Sequence, residues 1–260
     1  ACSRPKPDER AAALAQEIVR IRADLPPDPT ADQADAVAKP AKRAAKAYAD
    51  LIALADANPQ DTAIAVARAQ AEPAYIESRH IQRLATERHA LAKLMGGLKV
   101  RGYRTARTIV VPKLLTTLAA AARQAAEVDP AKLPPLVRGT AELAAELTGL
   151  HLGSPDSAKP ATGLSRDDWL RIAERIDSYN NHEPPEFALG LGLAYGVFGE
   201  NGLALVELER AAAGTFADPR YASIVPLATA TIYSRLGFTE LAAREASKIS
   251  GDTETGRQLI

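Results

Sequence analysis

Few residues in this chain have the types and spacing that chemistry needs. Glu77 and His80 form E-x-x-H on a segment with helical periodicity, the spacing that places a carboxylate and an imidazole on one face of a carboxylate-bridged metal bundle. Such a centre needs a second E-x-x-H and two further inward glutamates. The four histidines, His80, His89, His151 and His182, supply no second copy, so the pair reads as a solvated helix face and no metal is expected. Gly190, Gly192 and Gly196 give G-x-G-x-x-x-G, close to a phosphate cradle, but that use requires a preceding strand and the surroundings are helical. No G-x-S-x-G, P-loop or H-E-x-x-H occurs, and nothing singles out a catalytic carboxylate pair among many. No cofactor is implied. A single cysteine, Cys2, excludes an intrachain disulfide and a cysteine-rich zinc site.

The elements that carry these residues are helical. Of 260 residues 54 are alanine, the best helix former and small enough to let helices approach closely, while strand-type alternation is nearly absent. The fold class is all-α, built of antiparallel helical hairpins. Apolar stripes predict helices over 8–25 (Leu14, Ile18, Ile21, Leu25), 31–57 with a kink at Pro40, and 61–95 with a bend at Pro73 and a stop at Gly96-Gly97. In the third of these, Arg88 interrupts the stripe Ile81, Leu84, Leu91, Met95 and is expected at its edge. Residues 104–128 follow, with Val111, Leu114, Leu118, Ala121, Ala125 and Val128 inward. After Pro134-Pro135 comes a helix with Leu136, Val137, Leu143, Leu147 and Leu150 inward. Ser165 and Asp168 read as an N-terminal cap ahead of Trp169, Ile172 and Ile176. The expected organisation is a flexible tether at 1–10, a domain of long helices at 11–151, a Gly/Ser/Pro-rich linker at 152–164, a helical-repeat module at 165–250 and a tail at 251–260.

Net charge is zero but unevenly placed: residues 79–113 hold nine basic groups and one acidic, and residues 160–260 hold nine basic and fourteen acidic. Either the two regions face each other, or the basic segment contacts an anionic ligand or surface through Arg79, Arg83, Arg88, Lys93, Arg101, Arg104 and Arg107. Only Tyr103 interleaves with these cations, so a nucleic-acid partner is not expected. No apolar run reaches membrane-spanning length.

The last third repeats itself. Gly192, Tyr195, Gly199, Ala204, Leu208 and Ala211 recur after 38 residues as Ala230, Tyr233, Gly237, Ala242, Ala246 and Ile249. Small residues sit where two helices cross, and a glycine permits the reversal between them. The pattern resembles the tetratricopeptide repeat, which stacks antiparallel helix pairs into a superhelix, although Ala230 and Ala246 depart from it and the spacing exceeds the usual one. The resemblance implies a groove lined by Glu186, Leu189, Leu193, Gly196 and Val197 from the first hairpin and Ile224, Leu227, Thr231, Ser234 and Arg235 from the second. That groove would take an extended peptide or amphipathic helix.

Ala1-Cys2-Ser3 followed by a Pro-containing polar segment resembles the processed end of a bacterial lipoprotein. The resemblance implies lipidation of Cys2, with Ser3 compatible with outer-membrane sorting, and a protein held on the periplasmic side of the cell envelope by its lipid alone. The alternative is a cytoplasmic protein with an incidental thiol. The leading functional expectation is therefore a non-enzymatic, lipid-anchored scaffold that recruits an envelope protein or peptide through its helical-repeat groove. The alternatives are an anionic-ligand binder using 79–113, and an enzyme with an unrecognised site in a helical bundle.

Overall fold

In the computed structural model, which describes residues 5–100, 102–151 and 163–250, the alanine-rich stripes become ten α-helices and two 3-10 turns, with no strand among the described residues. The helices are α1 (Pro7–Asp24), α2 (Ala34–Ala57), α3 (Thr62–Val100), α4 (Tyr103–Glu127) and α5 (Pro135–His151), then α6 (Arg166–Ser178), α7 (Pro185–Val197), α8 (Asn201–Ala212), α9 (Arg220–Arg235) and α10 (Thr239–Ser250). The all-α class follows. The linker lies largely and the tail wholly outside the described residues, and the tether expected at 1–10 is already helical from Pro7, with Pro at a position that needs no helical N–H donor.

The chain divides into two compact units, 1–93 and 94–260, and the division falls inside α3 instead of at 152–164. The helices on either side of that interval, α5 and α6, pack together within the second unit, so 152–164 connects neighbours in one body.

In the first unit α1, α2 and α3 share a core in which methyl groups outnumber larger side chains. Ala11, Ala15, Ala44, Ala47 and Ala71 are buried around Ile18, Leu51 and Ile64. Larger volume is concentrated in one place, where the rings of Tyr48 and Tyr75 stack at 4.2 Å. The expected stripe of α1 is buried as read, at Ile18, Ile21 and Leu25. Helices run through Pro40 and Pro73 without ending, because a proline removes one N–H and leaves the following ladder intact. The stop expected at Gly96-Gly97 does not occur either. α3 continues to Val100, and the chain turns at Gly102, whose φ of 70° lies in the left-handed region.

In the second unit α4, α5 and α6 enclose Leu115, Leu118, Trp169, Ile176 and Phe187 among alanines. The Ser165 hydroxyl accepts from the Asp168 N–H at 3.2 Å and the Asp168 carboxylate accepts from the Ser165 N–H at 2.9 Å, the reciprocal cap expected for α6. On α5 Val137 and Leu147 turn inward as expected, together with Ala141 and Ala144, but Leu136 and Leu143 are 83% and 44% exposed; Leu150 lies outside the residues whose side chains are described. In α4 Leu115 is buried and the expected Leu114 packs half-buried against the same core, while Val128 is exposed.

Candidate functional site

The two sequence repeats fold into two hairpins, α7–α8 and α9–α10, that reverse in the same way. Gly199 and Gly237 stand at equivalent turns with φ of 79° and 77°. The Tyr195 carbonyl accepts from the Glu200 N–H at 2.9 Å, and the Tyr233 carbonyl accepts from the Phe238 N–H at 2.8 Å. This bond closes the end of the first helix of each pair, and only a residue at ease with positive φ can sit inside it. Gly192 is needed for a different reason: a Cβ there would lie 2.9 Å from the Leu208 side chain and 3.3 Å from the Ala204 carbonyl, so α7 and α8 meet at backbone distance. A Cβ at Gly190 would likewise lie 3.1 Å from the Leu147 side chain, whereas one at Gly196 would meet Ile232 at an ordinary 3.7 Å; all three glycines lie inside α7, which removes the phosphate-cradle reading.

The expected groove residues do not form one lined trough. Glu186 and Leu189 are buried, at 1% and 2% exposure. The Glu186 carboxylate accepts from the Ala217 N–H at 2.7 Å in the α8–α9 connection, and Gly196 lies under Ile232 of α9. One face of α7 is thus covered by the next hairpin and cannot receive a ligand. Leu193 and Val197, at 41% and 81%, remain exposed beside the neighbouring Phe198. On α9, Ile224 is half-buried, while Leu227 (56%), Thr231 and Ser234 are exposed. The groove's one expected cation, Arg235, donates to the Gly196 carbonyl at 2.9 Å and so joins the two hairpins.

The densest cluster of ionisable groups lies elsewhere in the second unit, where Arg107 of α4 meets the C-terminal acids. Its Nε and Nη2 donate to Glu207 at 2.6 and 2.9 Å, and Nη2 also donates to Glu183 at 2.6 Å. The Tyr103 hydroxyl donates to Glu207 at 2.7 Å, and its ring meets Tyr195 edge-on at 6.5 Å. Glu207 is fully buried, and Arg210 stands 3.6 Å from Glu183 and 3.8 Å from Glu207. Burial, reinforced by the hydrogen bond to Glu207, drives the Tyr103 hydroxyl well above the ordinary tyrosine range. The two carboxylates and the guanidinium are joined by charge-assisted hydrogen bonds, an arrangement that ties α4 to α8 and to the segment before α7.

This cluster settles one use of the charge asymmetry: within the second unit a cation of the basic segment pairs with acids of the C-terminal region. Arg107 is therefore engaged by carboxylates of its own chain. Arg88, at the edge of its stripe as expected, donates to the Pro29 carbonyl at 2.6 Å and pairs with Asp28 at 2.9 Å. Arg79, Arg83, Lys93 and Arg104 are exposed, and Arg101 and Cys2 lie outside the described residues. Glu77 of the E-x-x-H pair is bound by Arg22, which holds its carboxyl below the usual carboxylate range. Among the described residues no cluster of three potential ligands could hold a metal. No helix among the described residues is long and apolar enough to cross a membrane. A shallow cleft of about 570 Å³ lies at the α2–α3 connection, lined by Ala55, Asn58, Pro59, Asp61, Arg68 and Glu72. Asp61 there accepts from the N–H groups of Ala63 and Ile64 and so serves as the helix cap of α3.

Sequence reasoning missed Glu207, Glu183 and Tyr103 as a unit. A signal existed in the repeat itself: Glu207 and Arg210 recur 38 residues later as Glu245 and Lys248, which pair at 2.7 Å. Searches of protein-family models, of curated proteins and of solved structures find nothing that matches this chain.

Proposed function

We propose that this protein is a non-enzymatic interaction scaffold, lipid-anchored through Cys2 on the periplasmic side of a bacterial envelope, whose α7–α10 region is a tetratricopeptide-like module that recruits another protein. The observation that carries the reading is the pairing of two hairpins in one register, closed by the same glycine turn, with Leu193, Val197, Phe198 and Leu227 left exposed on helices that are otherwise well packed. Large exposed apolar side chains grouped on one module mark contact surfaces more often than solvent-facing ones do. The internal pairing of the Arg107 cluster supports a structural use of the ionisable groups. The anchor rests on the Ala1-Cys2-Ser3 junction alone.

Photo-reactive residues placed at Leu193, Val197, Leu227 and Ser234 test the module in the native host. A discrete adduct from at least one position, absent from a Leu136 control on α5, is expected. No adduct from any of the four refutes the scaffold. The mass of natively expressed protein tests the anchor, since an unmodified Cys2 refutes it.

A further inference from the structure

The 38-residue register permits a comparison of the two hairpins side chain by side chain. The α7 face formed by Glu186, Leu189 and Gly196 is covered: the α8–α9 connection donates to Glu186, and Ile232 of α9 lies on Gly196. Adding 38 to those positions gives Ile224, Leu227 and Ser234 of α9. Leu189 is 2% exposed, and Leu227, in the same place on the next hairpin, is 56% exposed. Gly196 is buried and Ser234 is open. Ala211 is fully buried, and its counterpart Ile249 is 45% exposed. The second hairpin thus carries the surface on which the first receives its neighbour, without a neighbour among the described residues.

We infer that this face of α9, with Ile224, Leu227 and Ser234 along it, is a stacking site for one amphipathic α-helix of another protein, seated as α9 is seated on α7. The intramolecular contact specifies the occupant. α9 runs in the same direction as α7, since Ala217 meets Glu186 near their starts and Ile232 and Arg235 meet Gly196 near their ends. Ile224 to Ser234 spans ten residue steps, about 15 Å of helix, so three turns with apolar residues at i, i+3 or i+4, and i+7 span it. Two substitutions tune the preference. Ile224 replaces Glu186, so the occupant's first turn presents an apolar side chain where α9's approach presents an N–H. Ser234 replaces Gly196, so its last turn is less closely seated and meets a hydroxyl. The inference rests on reading α7–α10 as an interaction module and names which of its faces takes the partner.

The test uses the full chain and a fluorescein-labelled peptide carrying residues 218–235, the helix that fits the equivalent face by construction. Binding followed by anisotropy is expected, with Leu227→Asp and Ser234→Arg each weakening it at least ~10-fold, since either puts charge or bulk at the centre of a packed contact. Leu136→Asp, on the exposed side of α5, is expected to leave it unchanged; unaltered Trp169 emission and helicity show that each variant is folded. Binding abolished by Val197→Asp and indifferent to Leu227→Asp overturns the inference while leaving an interaction module in place. Binding strengthened by Leu227→Asp overturns it too, because the peptide would then be displacing α9 itself. If deletion of 251–260 raises affinity, that segment is the occupant. If sedimentation shows a dimer that Leu227→Asp dissociates, a second copy is. Either result removes the assignment to another protein, as does the absence of peptide binding.

Discussion

Replacing Arg107 with Met keeps most of the volume of a side chain that is 12% exposed and removes the guanidinium that is hydrogen-bonded to both Glu207 and Glu183. Glu207 is then a fully buried carboxylate left with the Tyr103 hydroxyl and with Arg210 at 3.8 Å. Removing one member of a buried ion pair costs about 3–5 kcal/mol, because the desolvation of the survivor is no longer offset. A folded unit of this size loses about 2–4 °C per kcal/mol, so the variant should melt roughly 6–20 °C lower. The double variant Arg107→Met/Glu207→Met leaves no uncompensated charge at the centre and should return to within about 1 kcal/mol of the parent or exceed it. Urea unfolding followed through Trp169 reads this directly. It is the sole tryptophan, 1% exposed, and belongs to the same unit. A single variant within about 1 kcal/mol of the parent would refute the assignment of Arg107 as a buried lock. So would a double variant less stable than either single one.

Ser165→Ala should cost about 0.5–2 kcal/mol by uncapping α6, and the same Trp169 transition measures it; an unchanged midpoint contradicts the cap. Gly199→Ala and Gly237→Ala meet no atom within 4 Å, so the penalty is conformational alone, about 1–2 kcal/mol and equal at the two turns, with Asn less costly than Ala at both. Unequal losses in chemical denaturation would show that the turns are not equivalent. Burial pushes the hydroxyls of Tyr179 and Tyr233 up to about 12, with Glu186 adding to the first against Arg175, and Glu245 and Glu209 adding to the second. A folded pKa above the unfolded value gives stability that is complete below about pH 10 and falls as pH rises towards 12. Ultraviolet titration should show these two phenols ionising only as the pH approaches about 12. Their ionisation near pH 10 in folded protein would contradict the burial.

Periodicity located nearly every helix, because leucine and isoleucine against charged residues give a sharp stripe, as in α1 and in the Ile81–Leu84 part of α3. It failed where alanine fills both faces. In α5 the inward residues include Ala141 and Ala144, whereas the exposed Leu136 and Leu143 widened the stripe beyond the true inner face. Gly96-Gly97 carries helix-stopping composition, yet a glycine pair costs only about 1 kcal/mol per residue in a helix interior, and surrounding residues hold α3 through it. The hairpin register was legible down to the turn glycines. The coverage of one hairpin by the next was not, since Glu186 and Leu189 look like surface and groove residues until Ala217 and α9 are placed over them. The lock at Glu207 joins residues 100 positions apart, and no local pattern encodes that separation.

A core made largely of methyl groups has an asymmetric tolerance for change. Ala11, Ala44 and Ala71 in the first unit, and Ala119, Ala122 and Ala144 in the second, have essentially no exposed surface and no branch to trim. Truncating any of them deletes one carbon, whereas enlarging one to valine or leucine must push two helices apart along their whole crossing. Drift in this protein is therefore channelled: its helices can lose grip slowly, but almost none of their contact points has room to grow.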